Sequence, residues 1–507
     1  MQTKHIHLIG ICGTAMASLA GMLKAQERRI TGSDAAAYPP MNDVLAELGI
    51  PLLQPYAEAN LDPRPDLVVV GNAISRGNVE LEYVLDRRIP FTSMAAVLHD
   101  EFLPGRESLV VAGTHGKTTT TSMLAWIYEV AAQADARFAP SFLIGGVAEN
   151  FGTSFMVRPV VEGARRPFIL EGDEYDTAFF DKGPKFMHYF PEAAILTHVE
   201  FDHADIYADL AAVKTAFKRL VNLMPRRGRL VAFDGSENVT ECVARAFCKV
   251  ERYGFAPDSF WRVAGMRHAD GVTHWALDRD EEFFAELRLA LAGEHNALNA
   301  TAAAALAAGQ GVPVAAIVEA LATFRSVKRR LEVRAEVNGV TVIDDFAHHP
   351  TAIRETLRAL RTAYPGTGSE GRRLWAVLEP RSNTLRRNVF EEALVESLAL
   401  ADRVALAAVF NAEAIAAGER LDPENVAAAV RARGVEAAVY ADADAIVAAI
   451  APELRAGDVV AILSNGGFGG IYKKLPQALE RLRPFPATLP EAAPFASGYL
   501  YKAAIKS

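Results

Sequence analysis

Short β-branched or apolar runs alternate with helix-period segments along almost the whole chain, the pattern of parallel sheets flanked by helices. "HIHLIGI" reads as a strand and "TAMASLAGMLKAQ" as the helix after it; "DLVVVGNAIS" and "VELEYVLDRR" repeat the pair. A polar stretch at "DEFLPGRES" marks a boundary. The strand "LVVAG" then opens a second section with the further strands "PFILEG" and "AAILTHVEFDH", closing on the alanine-rich helix "NALNATAAAALAAGQG". "FRSVKRRLEV" reads as a linker, and "VTVIDDFAHHP", "LWAVLEP", "RVALAAV" and "DVVAILSNGGFGG" supply the strands of a third section. The expected divisions are 1–106, 107–328 and 329–485, followed by a Pro- and Ala-rich, loosely packed tail over 486–507.

Composition narrows the class. A chain of 507 residues suits roughly three domains, and 50% hydrophobic with 23% charged residues is ordinary for globular protein. The net charge of −9 gives no basic field, so nucleic acid is not expected as a partner. Cys12, Cys242 and Cys248 form neither a CxxC pair nor a Cys/His zinc spacing, a reducing-compartment profile. The start "MQTKHIHLIGICG" lacks the features of a secretory leader, and no apolar run nears the ~18 residues of a membrane span. A cytoplasmic monomer without membrane contact is the expectation.

Chemistry enters at "LVVAGTHGKTTTTSMLAW", Leu109 to Trp126. A Walker A loop reads G-x-x-x-x-G-K-[ST]. Here Val111 stands in place of the first glycine, leaving Gly113-Thr114-His115-Gly116-Lys117-Thr118. The loop lies between an apolar strand and a helix, where Gly113 and Gly116 let backbone N–H groups converge on phosphate at a positive dipole end. Lys117 would reach β/γ oxygens and the Thr118 hydroxyl would serve Mg²⁺, so the loop predicts ATP or GTP. "PFILEGDEYD" ends its strand with Glu171, Asp173, Glu174 and Asp176, hard oxygens suited to Mg²⁺ at a strand end. "THVEFDHADIY" adds Asp202 and His203, candidates for a second metal site. At the N-terminus, Gly10, Gly13 and Ala15 with Asp34 further on give an imperfect Rossmann entry interrupted by Cys12. It predicts a diphosphate on a helix N-terminus, and leaves a dehydrogenase as an alternative that the phosphate loop disfavours.

In this order, "GTHGKTT", "EGDEYD", Asp202-His203, "GEHNALNA", "KRRLE" and "DDFAHHP" resemble the Mur ligase family, the ATP-dependent amide-forming enzymes of peptidoglycan assembly. The resemblance runs to about Leu482 and implies three α/β domains: Rossmann-like, P-loop ATPase-type and Rossmann-like. The start, with "GSD" and "NAISRGNVE", is most similar to members that use UDP-N-acetylmuramate as the acid substrate. Two amine substrates remain, L-alanine and the tripeptide L-alanyl-γ-D-glutamyl-meso-diaminopimelate. "EGDEYDTAFFDKGPKF" and "EFDHADIY" favour the tripeptide, in cell-wall recycling.

Carried over by position, the resemblance implies that Lys117 and the backbone of Gly113, Thr114, His115, Gly116, Thr118 and Thr119 hold ATP. Thr118 and Glu171 bind one Mg²⁺, and His203 serves a second. Asn296, Asn299, Arg330, Asp345 and His348 contact the nucleotide, with Lys117, His203 and Arg330 catalytic. Gly10, Gly13 and Asp34, with Asn72, Ser75 and Arg76, serve the UDP-sugar. Arg381 and Asn383 of "EPRSNTLRR" are candidates for the peptide carboxylates, since arginine offers bidentate geometry. Members with a carbamylated lysine carry it after the Asp-His motif, near Phe217 here, between Lys214 and Lys218; no carbamate is expected. His198 stands where asparagine is usual.

Overall fold

The computed structural model describes residues 4–35, 41–161, 163, 166–366 and 372–482. The tail expected over 486–507 lies outside them. Three sheets organise the chain. The first has five parallel strands in the order Leu52–Leu53, Arg29–Ser33, His5–Ile9, Leu67–Val70 and Phe91–Ser93. Strand order reverses between His5–Ile9 and Leu67–Val70, the switch point where open α/β sheets bind ligands. Their exits, at Gly10 and Gly71, lie side by side, with the Gly71 N–H donating to the Ile9 carbonyl at 3.0 Å.

The second sheet has ten strands. Arg106–Ala112 lies between Ala193–Leu196 and Arg166–Gly172, all parallel, so the phosphate loop and both acidic strand ends emerge at one edge. Helices Lys117–Ala132 and Glu294–Gly309 pack together, and Ala297, Ala300, Ala304 and Ala307 are fully buried. Methyl side chains let the backbones approach closely. At one end the parallel rhythm gives way to antiparallel strands Trp261–Ala269, Val272–Arg279 and Glu282–Leu289. The cause is local: Asp270 and Gly271 have φ of 52° and 75°, and Asp280 and Glu281 have 52° and 66°, values suited to two-residue hairpin turns.

The third sheet runs Glu332–Val337, Val340–Asp345, Val459–Leu463, Leu374–Leu378, Arg403–Ala407 and Glu436–Tyr440, with an antiparallel first pair. Both faces are covered: Ile343, Leu357 and Leu378 belong to one core, Val342, Ile462 and Leu475 to the other. Contacts also join the sheets' domains. Ser18 Oγ meets Ser154 Oγ at 2.8 Å, and Gly21 has no room for a Cβ beside the Phe155 ring. Thr384 Oγ1 donates to Asp202 Oδ1 at 2.6 Å and Asn383 Nδ2 to Asp205 Oδ2 at 2.7 Å. Among the described residues no helix is long and apolar enough to cross a membrane.

Candidate active site

The phosphate loop needs its glycines. Gly113 has φ 130° and a Cβ there would collide with Thr197 Oγ1. Gly116, at φ 78°, starts helix Lys117–Ala132, and a Cβ would stand 2.5 Å from Asn299 Oδ1. No side chain caps this helix, which leaves its first N–H groups to an anion. Thr119 is buried on the first turn and faces the adjoining cavity. The Lys117 ammonium folds back to the Gly113 carbonyl at 2.8 Å and to Glu174 at 2.7 Å. Burial opposes that charge, but Glu174, Asp173 and Glu171 outweigh it and raise the lysine pKa.

The acids surround this lysine. Thr118 Oγ1 donates to Glu171 Oε1 at 2.8 Å, and the Gly145 N–H donates to Oε2 at 2.7 Å. Burial pushes the Glu171 pKa up. Glu174 also takes His203 Nε2 at 2.9 Å, and the imidazole lies on the Tyr175 ring with centroids 3.9 Å apart. The His203 pKa is raised: burial lowers it, but the Glu174 hydrogen bond and charge prevail. Sequence reasoning missed Lys185, whose ammonium donates to Asp173 at 2.6 Å. This pairing overcomes burial and lowers the Asp173 pKa. Phe217 is fully buried, stacked on Phe186 with centroids 5.5 Å apart, while Lys214 and Lys218 both point outward to Glu241.

Beside the loop is a cavity of about 410 Å³ lined by residues of two domains. His115, Gly116, Thr119, Asn296 and Asn299 face Arg330 and Asp345 across it. The Arg330 guanidinium lies 5.2 Å from the Phe346 ring centroid. Asp345 accepts from the Leu331 and Ala347 N–H groups at 2.8 and 2.9 Å, and Asn296 Nδ2 donates to the Ala292 carbonyl at 2.8 Å. Phe233, Phe255 and Leu291, which no motif pointed to, add apolar and aromatic surface, as does His295, which lies inside the quoted "GEHNALNA" without a role having been assigned to it. His198 also lines it; burial, then His115, lowers its pKa to about 4. His348 is not among the lining residues. Its Nδ1 bonds the Phe346 carbonyl at 2.9 Å, and its electrostatic neighbours are Asp202, Arg330 and His203.

The N-terminal positions fall into two groups. Gly10 has φ 82°, Gly13 precedes helix Thr14–Ala25 without a side-chain cap, and Asp34 Oδ2 accepts from the Cys12 N–H at 2.8 Å. These three form one loop cluster at the switch point. Asn72, Ser75 and Arg76 are exposed on the neighbouring loop, where Arg76 forms a double hydrogen bond to Glu82 at 2.9 Å. In the third domain, Arg381 lies 3.8 Å over the Phe410 ring, while Asn383 bridges Asp205 and Arg386.

A phosphate loop of this form, beside a cavity that another domain completes, fits an ATP-dependent ligase. The chain belongs to the Mur ligase family of ATP-dependent, amide-forming ligases. Residues 5–102 match the model for the Mur ligase family catalytic domain, 111–307 the Mur ligase middle domain, and 329–466 the Mur ligase glutamate ligase domain. The UDP-N-acetylmuramate–L-alanyl-γ-D-glutamyl-meso-2,6-diaminoheptandioate ligase of Escherichia coli (strain K12) is 41% identical over 480 residues, 94% of this chain and 98% of that protein. A UDP-N-acetylmuramate–L-alanine ligase of Polaromonas sp. (strain JS666 / ATCC BAA-500) is 33% identical over 486 residues, 93% of this chain and 97% of its own. The crystal structure of a murein peptide ligase from Psychrobacter arcticus 273-4 superposes with a TM-score of 0.70 at 35% identity, covering 95% of this chain and 99% of that one.

Proposed function

We propose that this chain joins the lactyl carboxylate of UDP-N-acetylmuramate to the free amine of L-alanyl-γ-D-glutamyl-meso-diaminopimelate, with ATP, in peptidoglycan recycling. The observation that carries the choice of amine is the full-length identity of 41% to the tripeptide ligase against 33% to the alanine ligase. A cytoplasmic setting follows from the ATP and UDP-sugar substrates.

The lactyl carboxylate has no leaving group. Its oxygen attacks the γ-phosphorus of ATP, the bond to ADP breaks, and an acyl phosphate forms. Lys117 and Arg330 neutralise charge on the transferring group, the main contribution a protein makes to phosphoryl transfer. The chemistry of the donors fits Mg²⁺: Thr118 and Glu171 offer a hydroxyl and a carboxylate 2.8 Å apart, and Gly145 leaves room for that carboxylate. His203 with Glu174 would hold a second ion. When bound, Mg²⁺ supplies positive charge against the β- and γ-phosphate oxygens.

The peptide amine then attacks the acyl carbon, the tetrahedral adduct expels phosphate, and a base takes the amine proton. His348 suits that base. Burial lowers its pKa, so the imidazole is neutral near pH 7, and the Nδ1–H bond to the Phe346 carbonyl leaves the Nε2 lone pair free. His203, with a raised pKa beside Glu174, is the poorer acceptor. Closure of the third domain shields the acyl phosphate from water. Gly10, Gly13 and Asp34 hold the UDP end, and Arg381 meets a peptide carboxylate.

The test is phosphate release from Mg²⁺, ATP and UDP-N-acetylmuramate, with either L-alanine or the tripeptide added. Release with the tripeptide alone supports the reading. Release with L-alanine alone overturns the choice of amine.

A further inference from the structure

At the edge of the cavity beside the phosphate loop, and separate from the cluster of Lys117, Glu174 and His203, three metal-ligating side chains meet across the boundary of the second and third domains. His115 comes from the phosphate loop, Glu200 from the segment after Ala193–Leu196, and His349 from the residue before helix Pro350–Ala363. Their donor atoms all lie within 4.8 Å of one another. His115 Nε2 is 2.9 Å from Glu200 Oε2, and His349 Nδ1 is 3.7 Å from the same oxygen. Around one ion, with metal–ligand distances of about 2.0–2.2 Å, tetrahedral donors stand roughly 3.4 Å apart. The two spacings bracket that value.

Second contacts aim the donors. His349 Nε2 bonds the Phe201 carbonyl at 3.2 Å, which places the proton on Nε2 and turns the Nδ1 lone pair toward Glu200. A carbonyl behind the imidazole is the usual support of a metal-bound histidine. The competing bond from the Thr351 N–H to Nδ1 is long, at 3.3 Å. The Thr351 hydroxyl holds Glu200 Oε2 at 2.7 Å, and the Glu200 N–H donates to Thr114 Oγ1 at 2.9 Å. The carboxylate is therefore held by the third domain and its backbone by the phosphate loop.

We propose that His115, Glu200 and His349 form a binding site for a divalent first-row transition ion, Zn²⁺ foremost, that staples the phosphate loop to the third domain. Two imidazoles and a carboxylate select such an ion over Mg²⁺, which takes the harder oxygens at Thr118 and Glu171. Binding replaces the hydrogen bond between His115 Nε2 and Glu200, with the imidazole proton carried on Nδ1. Because opening the third domain must part His349 from the other two ligands, the bound ion slows the opening step and with it turnover.

Co²⁺ titration of the full chain in excess Mg²⁺, read by visible absorption, is the test. One equivalent should develop a d–d band that Zn²⁺ abolishes. Thr118→Ala should keep the band. His349→Asn retains a helix-capping side chain while removing the imidazole, and its Co²⁺ affinity should fall by about 10- to 100-fold; Glu200→Gln should behave alike. Zn²⁺ should raise the melting temperature of the wild type and not of His349→Asn, a readout that also reports whether each variant is folded. No band in the wild type, a band kept by both His349→Asn and Glu200→Gln, or one lost in Thr118→Ala overturns the site. Equal Zn²⁺ shifts in wild type and His349→Asn overturn the staple.

Discussion

Replacing Gly145 with alanine perturbs the proposed Mg²⁺ site without altering a ligand. The Gly145 N–H holds Glu171 Oε2 at 2.7 Å while Oε1 takes the Thr118 hydroxyl at 2.8 Å. A Cβ on residue 145 would lie 2.9 Å from Oε2, 3.0 Å from Oε1 and 3.1 Å from Cδ. Carbon and oxygen are not held that close, so the carboxylate must shift away from residue 145, and its bond to that N–H is stretched. The backbone itself accepts alanine, because Gly145 is exposed and outside the left-handed region. Losing one hydrogen bond to a charged group costs about 1.5–3 kcal/mol, which corresponds to roughly 10- to 150-fold in an equilibrium constant.

The Mg²⁺ concentration for half-maximal phosphate release should rise by that factor in Gly145→Ala. Affinity for UDP-N-acetylmuramate, measured calorimetrically without ATP, should hold, and so should the melting temperature. Gly418→Ala is the control: nothing lies within 4 Å of its Cβ position, and it should leave every readout alone. A folded Gly145→Ala protein with an unchanged Mg²⁺ midpoint would refute the assignment of Glu171 as a metal ligand.

Lys117→Ala should lose turnover by at least ~10²-fold yet bind UDP-N-acetylmuramate, whose proposed site is on another domain; normal ligation by that variant would sink the phosphate-loop reading. Arg330→Lys keeps the charge but loses the planar contact 5.2 Å over Phe346. Its KM for ATP should rise by about 2- to 30-fold, equivalent to about 0.5–2 kcal/mol, and an unchanged KM would remove Arg330 from the nucleotide site. Cys12, Cys242 and Cys248 are all buried; burial, then Asp34, pushes the Cys12 thiol up to about 11, and burial does the same for Cys242. Thiolate forms only toward that pH, so a disulfide reagent at pH 8 should find no reactive thiol in the native chain and all three after denaturation, and rapid native labelling would contradict this packing.

The phosphate loop and the acids at Glu171 and Asp202 were legible because each is contiguous in sequence and sits at a strand end, where adjacency in the chain becomes adjacency in the site. The antiparallel end of the second sheet was missed although "HADGVTHW" holds the Asp-Gly turn that causes it. An alternating αβ reading carries no information about where the alternation stops. What sequence could not supply was pairing at long range. Lys185 reaches Asp173 across the hairpin of Asp176–Ala178 and Asp181–Pro184, inside a quoted stretch that gave the lysine no role, and Thr384 meets Asp202 across 182 residues. Two adjacent histidines make the same point. "HH" gives no reason to separate them, but His349 caps the following helix and faces Glu200, while His348 turns toward Asp202 and His203.

The linker ties the proposed nucleotide site mechanically to the third domain. The Lys328 N–H donates to the Val147 carbonyl at 3.0 Å, in the second domain. One residue later Arg329 belongs to the third: its guanidinium reaches the Ser464 carbonyl at 2.7 Å and the Tyr472 hydroxyl at 2.6 Å. The change of allegiance is compressed by left-handed backbone at Ser326, Arg329 and Leu331, with φ of 93°, 62° and 49°. Such conformations are costly for residues with a Cβ and persist only where surrounding bonds hold them. Arg330 lies between the two anchorages and lines the cavity proposed for the nucleotide. A phosphate that draws in this guanidinium pulls on the segment about which the third domain must turn. On the proposed mechanism, the contact that neutralises the transferring phosphate would thereby also draw the third domain closed over the acyl phosphate. The arginine could not do this from within either sheet, because there its backbone would move with one domain only.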